Sequence, residues 1–197
     1  EQHIRNLMQG SSLGKPTIET LPPIAPIDYR HYLLTAVNDN WTLFDSNPTE
    51  EITYNFQRQP DQLWSDFLKQ ICATFKINFC HIHHVANCRP GLLAACSGLD
   101  IPYGISVHDH YLACPTINML DSTGFYCSAE TNLDKCQNCL AKQEDFADVD
   151  IKNWREENMI LVENAKMIIG PSYWAVDTLK KFFKTPTSYV VPHGVNV

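Results

Sequence analysis

The sequence predicts an α/β fold, a Rossmann-like and mostly parallel sheet with helices on both faces, carrying a small Cys-rich metal knuckle. Three observations lead there. From Asp61 onward, short apolar runs alternate with amphipathic stretches of helical length, which is the pattern of parallel strands joined by helical crossovers. Several of the apolar runs end in His, Gly or Pro, the residue types of strand-exit loops. Four of the eight cysteines crowd into the 26 residues from Cys114 to Cys139, among turn formers. The chain has 197 residues, 44% of them hydrophobic, so it can bury a core without staples and is not disordered by composition.

In chain order, the first thirty residues read as loop, because Gly10–Gly14, Pro22-Pro23 and Pro26 break any periodicity. Tyr32 to Val37 is an apolar strand, Asn38-Asp39-Asn40 a turn, Trp41 to Phe44 a strand pairing back, and Ile52 to Phe56 a strand by alternation. Asp61 is placed to cap a helix to about Lys76, with Leu63, Trp64, Phe67, Leu68, Ile71 and Phe75 on one face. Phe79 to Val85 is a short strand ending in histidines. Pro90 opens a helix that Gly98 closes, and Ile101 to Val107 is the next strand. After a Cys-rich insert at about 111–140, helices are expected over Leu133–Phe146 and Ile151–Asn164. A strand follows over Ala165–Ile169, a helix from Pro171-Ser172 to Phe183, and a last strand over Thr187–Val191.

Composition removes whole classes of function. With 15 basic and 22 acidic residues the net charge is −7, which disfavours a nucleic-acid-binding face. No apolar run approaches the ~20 residues of a transmembrane helix. Glu1-Gln2-His3-Ile4-Arg5 has neither the basic start nor the apolar core of a signal peptide, and the expected location is cytoplasmic. The Asn40-Trp41-Thr42 sequon is therefore read as chance. There is no P-loop and no G-x-G-x-x-G.

Four groups of residues can carry chemistry. Cys114, Cys127, Cys136 and Cys139 have the spacing C-x12-C-x8-C-x2-C, and the last pair has the gap that lets two thiolates reach one ion. Four thiolates suit structural zinc, and less well an iron–sulfur cluster; free thiols or one disulfide are the alternatives. His108-Asp109-His110 sits at the carboxyl end of a predicted strand, where parallel sheets bind ligands. His81-Ile82-His83-His84 ends another strand, with His81 and His83 on one face; a histidine-held zinc of hydrolytic type would draw on these and on the 108–110 triplet. Gly170-Pro171-Ser172 and Pro192-His193-Gly194-Val195 follow two later strands, and Ser172 is a natural N-cap. Cys72, Cys80, Cys88 and Cys96 recur every eight residues, but fall on different predicted elements and are read as coincidence.

The order of these pieces over about residues 61–197 resembles the acceptor-side half of family 4 glycosyltransferases, which have the GT-B fold. The matching pieces are His81-Ile82-His83-His84, then Gly98-Leu99-Asp100-Ile101-Pro102 and Ser106-Val107-His108-Asp109. Cys114-Pro115 and the later C-x2-C follow, as in a subset of the family, and then Ala165–Ser172 and Val190–Val195. The resemblance implies retaining transfer of a sugar from a nucleotide-sugar to an acceptor, without a catalytic metal. It implies His108 as the cleft residue, with Asp109 to orient it, and Ser172, His193 and Gly194 as substrate-binding candidates; His110, beside them at the strand end, is a further substrate-binding candidate. The acceptor, whether glycan, lipid or protein, stays open, and a lipid acceptor would place the protein at a membrane periphery. The sequence departs from the family in two ways: no Gly-rich loop follows a first strand, and the chain stops where the donor-binding domain would start. Residues 1–197 are therefore expected to be one Rossmann-like domain, a fragment whose partner is the C-terminal donor-binding domain of the same polypeptide. The competing reading is a non-catalytic, metal-stabilised scaffold domain.

Overall fold

A computed structural model describes residues 30–37, 40–45, 52–86, 92, 95–96 and 98–192. The expected turn at Asn38-Asp39, the helix start at Pro90, Cys88, and His193-Gly194-Val195 lie outside the described residues, as does the N-terminal loop up to Tyr29. The chain divides into two compact units, residues 1–62 and 63–197.

The first unit contains its own antiparallel sheet, β1 (Tyr32–Val37), β2 (Asn40–Asp45) and β3 (Ile52–Gln57), in the order β1-β2-β3. These strands do not extend the parallel sheet. Alternation along β2 buries Trp41, Leu43 and Asp45 on one face. Asp45 is wholly buried, and its carboxylate meets Arg30 at 2.8 Å, the partner that a buried charge requires.

The second unit is built on a four-stranded parallel sheet with flanking helices. Its strands are β4 (Cys80–Ile82), β5 (Tyr103–Ser106), β6 (Met167–Gly170) and β7 (Ser188–Val190), hydrogen-bonded in that order. All four residues of β5 are buried, as a central parallel strand covered on both faces requires. A doubly wound sheet needs a reversal of strand order; none falls among the described strands.

The helices are α1 (Trp64–Thr74), α2 (Leu133–Leu140), α3 (Ile151–Glu163) and α4 (Tyr173–Lys180), with a 3-10 turn at Glu144–Phe146. Helix α1 starts later than Asp61 predicts. A turn closed by Gln62 N–H to Gln59 O at 3.0 Å holds Asp61, so Leu63 becomes the N-cap, without a side-chain cap. Leu92, Ala95, Cys96 and Gly98 are helical. Gly98 is the last helical residue of that stretch; two residues on, Asp100 takes the left-handed conformation at φ 52°, and Ile101 N–H returns to Cys96 O at 2.8 Å. Asp150 and Ser172 cap α3 and α4 by accepting from Asn153 and Ala175 amides.

The core is the layer between sheet and helices: Ile82, Ile105 and Ile168 from the strands, with Leu161, Val162 and Leu179 from α3 and α4. Tyr103 donates its phenol to Leu161 O at 2.8 Å, joining β5 to α3, and burial pushes that phenol up to about 12.

Candidate functional site

Register decides which side chains meet. Ile82 pairs with Ile105, Ser106 with Ile169, and Gly170 with Val190, so all four strands end along one carboxyl edge. The exits of β4 and β5 carry the histidines. Nδ1 of His83 lies 2.8 Å from Nε2 of His108, and Nε2 of His81 lies 2.9 Å from the buried Ser106 hydroxyl. The rings of His81 and His83 are 4.3 Å apart, as two residues on one strand face should be. Burial lowers the His81 pKa below the usual imidazole range.

A small cleft, open at its mouth, lies among these exits. Its polar lining is His83, His84, Ser106, His108 and Asp109, and its floor is apolar, with Ile82, Ile105 and Leu112 among the side chains. His108 is exposed at the lip, not sunk in the core. The His83–His108 contact places one N–H between two nitrogens. It therefore fixes the tautomers of the two rings jointly.

Asp109 does not play the part expected of it. Its carboxylate accepts the Tyr111 amide at 2.8 Å and faces Nε2 of His84 at 3.6 Å, so it shapes the turn after β5. His83 stands within hydrogen-bond distance of His108. His110 also departs from expectation: it is 6% exposed, is absent from the cleft lining, and meets the Trp174 ring edge-on at 4.9 Å. Its Nδ1 is buried without a hydrogen-bond partner, and burial lowers its pKa against the opposing pull of Asp109. Ser172 serves as the α4 cap, 3.2 Å from the Ala175 amide.

The loop that carries these residues is held from α3. Trp154 donates its indole N–H to Tyr111 O at 3.0 Å, Asn158 its amide to Leu112 O at 2.8 Å, and Arg155 its Nε to Ala113 O at 3.1 Å. Three successive loop carbonyls are thus satisfied by one helix. Residues 154, 158 and 161 share a helix face, so an Asn on the apolar side of α3 was the sequence signal for this clamp, which sequence reasoning missed.

The Cys-rich segment contains free thiols at Cys114, Cys127, Cys136 and Cys139. Cys136 accepts from Arg155 Nη2 at 3.3 Å, and Arg155 also donates to the carbonyls of Glu130 and Thr131 and lies over the Phe182 ring. Burial pushes the Cys136 thiol up, Arg155 opposes this, and nearby Cys114 and Cys127 reinforce it. Ile117, Met119, Ser128 and Ala129 all have positive φ between 54° and 63°. Such backbone is costly outside glycine and persists only where the surroundings hold it. The donor chemistry fits a thiolate-held ion. Among the described residues, however, no three His, Cys, Asp or Glu side chains stand in a ready ligating group. This applies equally to a histidine-held metal at the cleft.

No protein-family model, curated protein or solved structure matches this chain. Among the described residues no helix is long and apolar enough to cross a membrane.

Proposed function

We propose that residues 63–197 form the acceptor-side domain of a retaining, nucleotide-sugar-dependent glycosyltransferase. The observation that supports it is the His83–His108 pair at 2.8 Å, standing over a cleft on the carboxyl edge of a parallel sheet. In this reading His108 donates toward charge developing as the sugar–phosphate bond breaks, or positions the acceptor hydroxyl. His83 holds the ring in place. Ser106 and His81 supply further polar groups on the same side. The nucleotide is held by a donor-binding domain of the same polypeptide, to which His193 and Gly194 lead. In this reading helices cover both faces of the sheet, as a GT-B half-domain requires.

The four thiols of Cys114, Cys127, Cys136 and Cys139 take structural zinc. With four protein ligands the ion has no open position, so it supplies folding energy to the insert and takes no part in transfer. Arg155 offsets the negative charge of the thiolates.

The test is sugar transfer from a panel of nucleotide-sugars by the natural protein that contains this chain. Transfer that His108→Ala reduces by about two orders of magnitude or more supports the reading. Transfer unaffected by His108→Ala, or no turnover of any nucleotide-sugar, refutes it. The second outcome favours a non-catalytic scaffold domain. That reading draws on the exposure of Tyr173 (77%) and Trp174 (57%) on α4.

A further inference from the structure

Ser106 is the last residue of β5 and His81 the middle residue of β4, and the sheet sets one against the other. The parallel register pairs His81 with Gly104 and Ile82 with Ile105. Residues 104 and 106 therefore share the sheet face that carries His81. Gly104 puts no side chain between them; a Cβ there would stand 2.9 Å from Cγ of Met167 and 3.4 Å from Cζ of Phe79. With that position open, the imidazole reaches along the strand, and its Nε2 lies 2.9 Å from Oγ of Ser106. The pairing of β5 with β6 runs one residue past the serine, through Val107 N–H to Ile169 O at 2.8 Å, which fixes the backbone that carries Oγ. Ser106 is 7% exposed and lines the cleft, and His81 is exposed, so both partners can be reached.

A buried hydroxyl needs a hydrogen-bond partner, and a backbone carbonyl suffices for that. An imidazole nitrogen offers more. The hydroxyl donates to Nε2 when the ring proton sits on Nδ1, and the two groups then stand as a nucleophile and its general base. Such a base has to be neutral near pH 7, and desolvation of His81 favours the neutral ring. The pair also sits where a substrate can arrive, at the carboxyl end of an interior parallel strand. The cleft is small and its floor is apolar, with Ile82, Ile105 and Leu112, which suits a short apolar acyl group.

We propose that Ser106 and His81 form a nucleophile–base pair that hydrolyses short-chain carboxylic esters, an activity separate from sugar transfer. Oγ attacks the ester carbonyl carbon, a C–O bond forms, and the hydroxyl proton passes to Nε2 of His81. The carbonyl oxygen becomes an oxyanion, and His108, which lines the same cleft, serves as its donor. As the intermediate collapses, the bond to the alcohol breaks and the alcohol leaves with the proton from Nε2. Water then attacks the acyl-serine and gives a proton to His81. The carboxylic acid leaves and Oγ takes that proton back. One ester and one water become one acid and one alcohol, with no change of oxidation state.

The test exposes the folded natural protein that contains this chain to a short-chain alkyl fluorophosphonate, in which Oγ forms an O–P bond and fluoride leaves. The adduct is mapped by mass spectrometry. An adduct at Ser106 is expected, together with hydrolysis of p-nitrophenyl acetate that the same reagent abolishes. Ser106→Ala should lose both. His81→Gln can still hydrogen-bond to Ser106 but cannot take its proton, and labelling of Ser106 should slow by about a hundredfold or more. The map of the wild-type protein decides the matter even if a variant does not fold. The proposal is overturned if Ser106 stays unmodified in the folded protein, or if His81→Gln is labelled there as fast as the wild type. None of these readouts depends on sugar transfer.

Discussion

The imidazoles of His83 and His108 stack 17° from parallel with centroids 5.1 Å apart, although the two residues are separated by 25 positions and a helical connection. Adjacent parallel strands that end in register bring their exit residues side by side. This pair is the most specific polar feature of the carboxyl edge, and it orders the functional predictions.

His108→Ala in the natural protein lowers transfer by about two to three orders of magnitude, the cost of losing one donor aimed at developing charge. His83→Phe keeps an aromatic neighbour and removes the hydrogen bond. Transfer should fall by about tenfold to a hundredfold through misplacement of His108. Steady-state rates of the two variants and the double variant check this. Equal losses in His108→Ala and in the double variant would show that His83 acts only through His108.

Purified protein carries about one zinc per chain by elemental analysis, held by thiolates. Cys136→Ser, Cys139→Ser and treatment with a strong chelator each release it. Cobalt substitution gives the intense thiolate-to-metal absorption that histidine ligation lacks. Metal-free protein, with thiols that titrate as readily as in a denatured sample, overturns the assignment of a metal knuckle.

His110 makes stability rise with pH. Its folded pKa lies below the unfolded imidazole value of 6.5, so the unfolded chain binds more protons between the two. The contribution is complete above pH 6.5 and is lost as pH falls toward the folded value, at about 1.4 kcal/mol per unit of depression. Burial of His81 acts in the same direction. Urea midpoints between pH 7.5 and pH 5 should fall less steeply for His110→Phe, which also removes the orphaned Nδ1.

A Cβ at Gly170 would stand 2.6 Å from Cγ2 of Val176, which is itself 3% exposed and cannot swing away. Gly170→Ala therefore forces β6 and α4 apart and costs about 1–3 kcal/mol, read as a lower denaturant midpoint with an unchanged slope. Gly170→Ala with Val176→Ala restores most of the loss.

Local chemistry was legible where neighbours along the chain decide it. Ser172 caps its helix, Asp121 closes the turn at 121–125 by accepting from the Thr123 amide and hydroxyl and the Phe125 amide, and β4, β5 and β7 fall within the predicted apolar runs while β6 reaches one residue past its own, to Gly170. Boundaries were less legible. The strand expected over Phe79–Val85 is only Cys80–Ile82, and the helix expected over Leu133–Phe146 stops at Leu140 before a 3-10 turn. Strand ends are set by which partner carbonyl is in reach, and a linear pattern does not hold that information.

By itself the sequence determined the alternation of strands and helices in residues 63–197, the strand-end position of His108, and the clustering of thiols from Cys114 to Cys139. Tertiary structure alone decided that His83 meets His108 at 2.8 Å, that the buried His110 faces Trp174, and that α3 clamps the loop beyond it. The reason is the same in each case. Propensity and patterning act over a few residues, whereas these contacts join positions that only parallel pairing, helix packing and the return of the chain through a turn bring within hydrogen-bond reach.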